Sequence, residues 1–159
     1  MKNKIPPPIV AFVCGLAIYS GNQGWHVARY FSSTGSASIL FPYSSLIGNG
    51  FLVLGFGVII VAVSSFRKYQ TTINPLEPKT ASTLVTDGIF RFSRNPMYLG
   101  LLIILLGVSI HFSIYAGLVW CSLFVIYMNY FQISPEEEAM LELFEENFVR
   151  YKGNVRRWL

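Results

Sequence analysis

Residues 84–100 read LVTDGIFRFSRNPMYLG, a polar loop that leads into the first turn of a long apolar helix. Asn95 suits the N-cap position, because its side-chain oxygen can accept hydrogen bonds from the free N–H groups of the first turn. Pro96 suits the first helical position, where a missing N–H removes no helical hydrogen bond. The pattern predicts a helix that begins at Pro96, with Arg91 and Arg94 beside a helix end that favours anions.

On these residues alone the junction has two interpretations. It can bind an anion at the free N–H groups, or it can be a well-capped helix whose arginines anchor at lipid head groups. Both interpretations predict the same helix, and they differ only in whether the junction carries a ligand.

The amino-acid composition is that of a membrane protein. The chain has 159 residues, of which 53% are hydrophobic and only 13% are charged. That is too apolar for an ordinary soluble domain. The net charge of +4 comes with no long basic run, so no nucleic-acid partner is expected. Cys14 and Cys121 lie far apart in apolar segments, without further ligands at metal spacing, and we expect packed thiols and no metal site.

Hydropathy predicts an all-α polytopic membrane protein with about four transmembrane helices and a C-terminal amphipathic helix. The first helix extends from about Ile5 to Gly24, and its apolar run is shorter than the ~20 residues that a spanning helix needs. Basic residues precede that run, as in a signal peptide, but no clean cleavage site follows it. The second helix extends from Ser45 to Phe66. Residues 21–44, including His26, are predicted to form the connecting loop.

A later apolar run, Met97 to Ile133, contains 37 residues without a formal charge. At ~1.5 Å per residue it measures ~55 Å, nearly twice the ~30 Å hydrocarbon core of a bilayer. The run must therefore turn back once. The best place is His111-Phe112-Ser113, which gives helices of about 97–110 and 114–133.

Four glycines in the second helix predict a face of small residues for close helix contact. They are Gly48, Gly50, Gly55 and Gly57. A nucleotide-binding function for these glycines is disfavoured, because they lack the strand–turn–helix context that such motifs need.

The basic residues predict the topology. If four helices span the membrane, 11 of the 12 basic residues fall on one side and only Arg29 falls on the other. Because cytoplasmic segments carry an excess of Lys and Arg, this predicts cytoplasmic N- and C-termini and a functional face at the cytosolic surface.

Residues 134–138, SPEEE, predict the start of a terminal helix, with Ser134 as N-cap and Pro135 at the first position. On a helical wheel, Glu136 and Glu137 flank a stripe formed by Met140, Phe144, Phe148 and Tyr151. The other acids are expected to face solvent: Glu138, Glu142, Glu145 and Glu146. Two carboxylates on the buried side need partners. The candidates are Arg94 and the N–H groups that follow Asn95.

Residues 67–159 resemble the isoprenylcysteine carboxyl methyltransferase and phospholipid methyltransferase family of integral-membrane enzymes. Residues 84–90 match its pattern Leu-Val-x-x-Gly-x-(Phe/Tyr), and residues 94–100 match Arg-(His/Asn)-Pro-x-Tyr-x-Gly. The Glu-Glu pair of the family is best matched by Glu136 and Glu137, with Glu137 and Glu138 as the second register. Asn95 stands where the eukaryotic prenylcysteine enzymes have His, so the chain is closer to the phospholipid N-methyltransferases and to short bacterial members.

The resemblance implies one membrane-embedded methyltransferase domain over residues 1–159, with two membrane helices in 1–66 and a cofactor-binding core in 67–159. It implies S-adenosylmethionine as the cofactor, with S-adenosylhomocysteine as its product, bound in a pocket at the cytosolic face. The implied partners are the lipid bilayer and a lipophilic or lipidated substrate. Arg94 and Glu137 are the implied catalytic residues. The implied cofactor-binding residues are Leu84, Val85, Gly88, Arg94, Asn95, Pro96, Tyr98, Gly100, Glu136 and Glu137.

Several alternatives stay open at this stage. The methyl acceptor can be a prenylcysteine-like carboxylate, which an arginine would orient, or a lipid amine, for which no catalytic base stands out. A small thiol or another apolar metabolite is a further candidate, and so is a non-enzymatic helical membrane protein. The sequence Arg156-Arg157-Trp158 can orient a carboxylate or anchor the chain at the interface, and the anchor is the favoured interpretation.

Overall fold

The computed structural model describes residues 5–24, 43–69, 82–112 and 114–159, and within these ranges it contains helices and no strands. The α-helices are α1 (Pro7–Gly24), α2 (Ser44–Lys68), α3 (Pro96–Phe112), α4 (Ile114–Tyr127) and α5 (Ser134–Asn154). A 3-10 helix (Gly88–Arg91) precedes α3, and a π-helical turn (Met128–Ile133) joins α4 to α5. The all-α prediction is confirmed. The predicted loop around His26 and the basic residues Lys2, Lys4, Arg29 and Lys79 lie outside the described residues.

α3 is the central helix, because it packs against α1, α2 and α4. It begins at Pro96, as predicted, and the long apolar run is interrupted between Phe112 and Ile114, where a reversal was expected. The core that α3 shares with α1, α4 and the π-helical turn consists of Ala11, Cys14, Ile18, Tyr98, Leu105, Cys121, Phe124, Met128 and Ile133.

The contact between α2 and α3 is made backbone to backbone at two pairs of glycines. A Cβ atom on Gly55 would lie 2.7 Å from the carbonyl oxygen of Gly100, and one on Gly107 would lie 2.9 Å from that of Gly48. The prediction of close packing is therefore confirmed for Gly48 and Gly55. It is wrong for the other two glycines of α2, Gly50 and Gly57, because no described residue lies within 4 Å of such an atom there. They lie two residues further along the helix and so point to a different side.

Two helical stretches among the described residues are long and apolar enough to cross a membrane: Ser44–Lys68 and the continuous stretch Ile114–Asn154. Two shorter apolar helices accompany them, Pro7–Gly21 and Pro96–Phe112. The apolar part of the second stretch is residues 114–133, ~30 Å long, because its first acidic residue is Glu136. The acidic residues that follow lie beyond this candidate span.

The α-helix begins at Ser134, where a start was predicted, but the predicted N-cap role of Ser134 is wrong, because the chain is already helical there. Ile133 and Ser134 both have right-handed helical backbone angles, and no side chain caps this position. A proline inside a helix lacks the N–H of one hydrogen bond and crowds the carbonyl four residues earlier. The π-helical turn directly before Pro135 widens the helix, and this accommodates the proline without ending the helix.

The terminal helix is also not straight, contrary to the single stripe predicted for it. At Glu145 the backbone adopts φ 42° and ψ −117°, a conformation that non-glycine residues rarely adopt. In a straight helix Glu137 and Lys152 would be ~22 Å apart. Their side chains instead meet, with Lys152 Nζ 3.5 Å from Glu137 Oε2. The chain therefore folds back at Glu145 and brings its last residues to the start of α5.

Candidate functional site

The loop before α3 is fixed to the protein by apolar contacts on one side. Val85 and Phe90 are buried together with Ala62 of α2, and the Phe90 ring meets Phe66 edge-on with 5.1 Å between centroids. The buried hydroxyl of Tyr151 donates to the carbonyl oxygen of Phe90 at 2.7 Å. These contacts join the loop both to α2 and to the returning half of α5.

The outer side of this loop carries an exposed ion pair. Arg91 Nη2 lies 2.9 Å from Asp87 Oδ1, and the Tyr69 hydroxyl donates to Asp87 Oδ2 at 2.9 Å. The hydrogen bonds from Arg91 and Tyr69 hold the pKa of Asp87 below its usual value. Gly88 has φ +62°, a left-handed conformation that glycine adopts without strain. This part of the loop is exposed and supports the turn.

The junction at the start of α3 is tied to the chain's last residues. The Asn95 carbonyl accepts the first helical hydrogen bond, from the Leu99 N–H at 3.0 Å. The Asn95 side-chain amide donates to the Arg157 carbonyl at 3.0 Å, and the Arg94 N–H donates to the Arg156 carbonyl at 3.0 Å. The segment after the break, residues 146–159, is here called the returning segment, and it thus lies directly against the Arg-Asn-Pro motif.

Glu137 is the centre of an ion cluster, here called the Glu137 cluster: Arg94, Glu137, Lys152 and Arg157. Arg94 Nη2 donates to Glu137 Oε1 at 2.8 Å, and both side chains are about nine-tenths buried. Arg157 binds the same carboxylate with two nitrogens, Nε to Oε1 at 3.1 Å and Nη2 to Oε2 at 2.7 Å. Burial alone would raise the pKa of Glu137, but the hydrogen bond from Arg157 and the nearby cations outweigh it, so this pKa lies below its usual value.

Arg94 holds the cluster to the main chain. Its Nη1 donates to the carbonyl oxygen of Lys152 at 3.0 Å, while its Nε is buried and has no hydrogen-bond partner among the described residues. A buried donor without a partner is uncommon in a folded protein and asks for an explanation.

Glu136, the adjacent acid, has quite different surroundings. The hydroxyl of Tyr98 in α3 donates to Glu136 Oε1 at 2.5 Å. Burial raises the pKa of Glu136 to about 8, although the hydrogen bond from Tyr98 opposes this, and the charge of Glu137 raises it further. Two neighbouring carboxylates therefore differ in protonation near neutral pH.

The structure brings together five of the predicted site residues: Arg94, Asn95, Tyr98, Glu136 and Glu137. Glu138 is exposed, which agrees with the register that places Glu136 and Glu137 inward. The other predicted residues make different contacts. Val85 is part of the small core beside α2, and Gly100 packs against Gly55. Pro96 is buried at the helix start, while Leu84 and Gly88 belong to the loop.

The sequence interpretation missed Lys152 and assigned Arg157 and Trp158 to an interfacial anchor. In the structure the Trp158 indole N–H donates to Asn129 Oδ1 in the π-helical turn at 3.1 Å and Arg157 binds Glu137, contacts that the anchor interpretation did not include. The only signal available in the sequence was the excess of basic residues after Val149, and it cannot reveal their partners without the reversal at Glu145.

This arrangement is that of an all-helical membrane protein with a polar, charged centre at the end of its apolar helices. The chain belongs to the phospholipid methyltransferase family, whose model matches residues 43–147. Membership of this family implies a membrane methyltransferase. The chain is also 40% identical over 65 residues to an uncharacterized protein of Haemophilus influenzae, an alignment that covers 40% of this chain and 100% of that protein. No solved structure matches the chain.

Proposed function

We propose that the protein transfers a methyl group from S-adenosylmethionine to a lipophilic acceptor, a prenylcysteine-like carboxylate or a lipid amine. The observation that carries this proposal is the direct contact between the motif at the start of α3 and the acids of α5. Arg94 lies 2.8 Å from Glu137, and Tyr98 lies 2.5 Å from Glu136. These are the two regions that a helical methyltransferase without a glycine-rich nucleotide fold would use to enclose a methyl donor.

The residues present fit the chemistry of this cofactor. S-adenosylmethionine has an ammonium group and ribose hydroxyls, and a protein carboxylate can accept hydrogen bonds from both. It also has a carboxylate, which arginine and lysine side chains bind. The tyrosine ring of Tyr98 is of a type that attracts a sulfonium cation, an interaction worth ~0.5–2 kcal/mol. The site offers all three kinds of group within one cluster of side chains.

We assign different tasks to the two acids. A carboxylate offers about four acceptor positions. Arg94 and Arg157 donate three hydrogen bonds to Glu137 and Lys152 lies 3.5 Å from it, so Glu137 holds Arg94 and the returning segment in place. The bond from Tyr98 uses one position of Glu136, so Glu136 is the acid available to the cofactor's ammonium group or ribose hydroxyls.

When bound, S-adenosylmethionine supplies a methyl group on a positively charged sulfur, a leaving group that needs no further activation. The protein then has to align the acceptor with that methyl group and exclude water, which are the main sources of rate enhancement in such transfers. For a carboxylate acceptor, an arginine orients the nucleophile. For an amine acceptor, a proton must leave first, and Glu136 in its ionised form is the nearby group able to take it.

We further propose that the chain crosses the membrane four times, through α1, α2, α3 and residues 114–133, with both termini in the cytoplasm. The distribution of basic residues supports this orientation. It places the Glu137 cluster at the cytosolic surface, where a water-soluble cofactor has access.

Calorimetric titration of S-adenosylhomocysteine into detergent-purified protein tests the cofactor. The wild type should bind it in the micromolar range. Glu136→Gln should weaken binding about 10- to 100-fold, because the amide cannot ionise to form a charge-assisted hydrogen bond with the ammonium group of the ligand. Glu138→Gln is the matched control, since Glu138 is the next residue and is exposed, and it should leave binding unchanged. Absence of binding by the wild type at millimolar ligand would end the proposal in favour of a non-enzymatic membrane protein.

The acceptor is identified by transfer of labelled methyl groups to a panel of compounds. The panel contains a farnesylcysteine acid, phosphatidylethanolamine in mixed micelles and a small apolar thiol. Transfer to one of the first two supports the proposed function and selects the acceptor class. Transfer to the thiol alone would replace the lipophilic acceptor by a small metabolite.

A further inference from the structure

The Glu137 cluster contains more positive than negative charge. Three cationic side chains, Arg94, Lys152 and Arg157, surround one carboxylate. The cluster therefore carries two excess positive charges, or one if Glu136 is counted as ionised. A partly buried site with uncompensated cations attracts anions, because the low dielectric strengthens the interaction.

Hydrogen-bond donors in the cluster likewise outnumber acceptors. Each guanidinium group has five N–H donors and the Lys152 ammonium group has three. The bonds of Arg157 to Glu137 use Nε and Nη2, and Lys152 approaches the carboxylate only to 3.5 Å. Arg94 Nε is buried and has no hydrogen-bond partner in the part of the chain that the structure describes. An oxyanion would supply the acceptors that this cluster lacks.

Two of the three cations are accessible from outside. The side chain of Lys152 is 51% exposed and that of Arg157 is 34% exposed, whereas Arg94 is only 9% exposed. A ligand can thus reach Lys152 and Arg157 without disturbing the buried pair of Arg94 and Glu137. Both residues follow the apolar helices in the chain, beyond the span of residues 114–133.

We infer that Lys152 and Arg157 form an oxyanion-binding subsite beside Glu137, which takes a phosphate or carboxylate group. Three sources present this chemistry: the phosphodiester of a membrane lipid, free inorganic phosphate and the carboxylate of the cofactor. The part that the subsite plays in catalysis rests on the proposed function, whereas its anion binding does not.

Thermal unfolding of the detergent-purified protein at constant ionic strength, kept with potassium chloride, measures anion binding through ligand stabilisation. Three pairs of probes separate the sources. They are inorganic phosphate against chloride alone, dioleoylphosphatidylcholine against dioleoylglycerol, and S-adenosylhomocysteine against methylthioadenosine, which lacks the amino-acid end. In at least one pair, we expect the compound that carries the oxyanion to raise the unfolding temperature saturably. The pair in which this happens identifies the source of the oxyanion.

Lys152→Gln should weaken the binding of the oxyanion that stabilises the wild type about five- to tenfold, because one charge-assisted contact is lost. The matched control is Arg156→Gln, which removes the same charge from an exposed side chain four residues away. Arg156→Gln should leave the affinity within twofold of the wild type. Lys152 is preferred to Arg157 for this test, because Arg157 also holds Glu137 and its loss can disturb the fold.

The subsite is overturned if no oxyanion stabilises the wild type, or if Lys152→Gln and Arg156→Gln weaken binding equally. The second result would show a general surface charge effect. If S-adenosylhomocysteine does not bind but phosphate or the phospholipid responds through Lys152, the subsite stands and the proposed cofactor fails. If S-adenosylhomocysteine binds Lys152→Gln as well as the wild type and no phosphate compound stabilises the protein, the proposed cofactor stands and the subsite fails.

Discussion

Glu136 and Glu137 are neighbours in the chain, yet one contacts a tyrosine hydroxyl and the other contacts three cations. The difference follows from the helix: consecutive residues point ~100° apart, so each side chain meets a different part of the fold. Glu136 faces α3 at Tyr98, and Glu137 faces the returning segment and Arg94. Their substitutions should therefore have separate consequences.

Replacing Glu137 should destabilise the protein. Glu137→Gln leaves Arg94 buried beside Arg157 and Lys152 without a counter-charge, and removal of one partner of a buried ion pair costs about 3–5 kcal/mol. Because Arg157 and Lys152 are partly hydrated, we expect a loss of about 2–4 kcal/mol, measured by chemical unfolding in detergent. Glu138→Gln, at an exposed position, should change stability by less than about 0.5 kcal/mol. Equal losses in the two variants would show that the cluster does not stabilise the fold.

Stability should fall as the pH rises towards 8, and Glu136 should be responsible for part of that fall. The pKa of Glu136 is raised from 4.5 to about 8 in the folded protein. Between these values the folded protein binds more protons than the unfolded chain, so the free energy of unfolding decreases with rising pH. The contribution is complete below pH 4.5 and is lost as the pH passes through about 8.

Unfolding measured at a series of pH values checks this linkage. Glu136→Gln should remove part of the slope between pH 6 and pH 8, because the amide does not titrate. Glu138→Gln should keep the wild-type slope. A wild-type slope in Glu136→Gln would mean that Glu136 titrates near its ordinary value.

At the scale of elements, the pairing of α2 with α3 depends on glycines that exclude any side chain. A methyl group at Gly100 would lie 2.6 Å from Ile59 Cγ1 and 2.9 Å from the Gly55 carbonyl. Gly100→Ala should destabilise by about 1–3 kcal/mol, the usual cost of overpacking. Gly57→Ala adds the same methyl group on open space and should be neutral or stabilising, since alanine favours helix. Comparable losses from both substitutions, in unfolding measurements, would contradict this packing.

The same elements show how far sequence reasoning reached. The start of α3 was predictable because Asn95-Pro96 has local consequences, and the interruption near Phe112 followed from the length of the apolar run. The reversal at Glu145 was not predictable, because a glutamate gives no local signal for a positive φ angle. The contact of Arg157 with Glu137 depends on that reversal. The inward orientation of Glu136 and Glu137 was predicted correctly from the helical wheel. Both residues lie before the break at Glu145, where the helix still follows the regular period that the wheel assumes.

At the scale of the whole molecule, the proposed topology places the turn after α3 and the Glu137 cluster on opposite sides of the membrane. A cysteine in place of exposed His111 should react with a membrane-impermeant maleimide in intact spheroplasts. A cysteine in place of Lys152 should react only in inverted vesicles. Because Cys14 and Cys121 are buried, the wild type should give little background. Labelling of both positions from one side would rule out an odd number of spans between them and with it the proposed topology.

Because the chain folds back at Glu145, the cations that set the charge around Glu137 come partly from residues that follow the family motif in the chain. The family match ends at residue 147, while the cations that surround Glu137 from the returning segment lie at positions 152 and 157. The electrostatic surroundings of Glu137 therefore depend on residues outside the matched part of the chain. We expect substitutions at positions 152 and 157 to change the electrostatic environment of Glu137 while the motif itself stays unaltered.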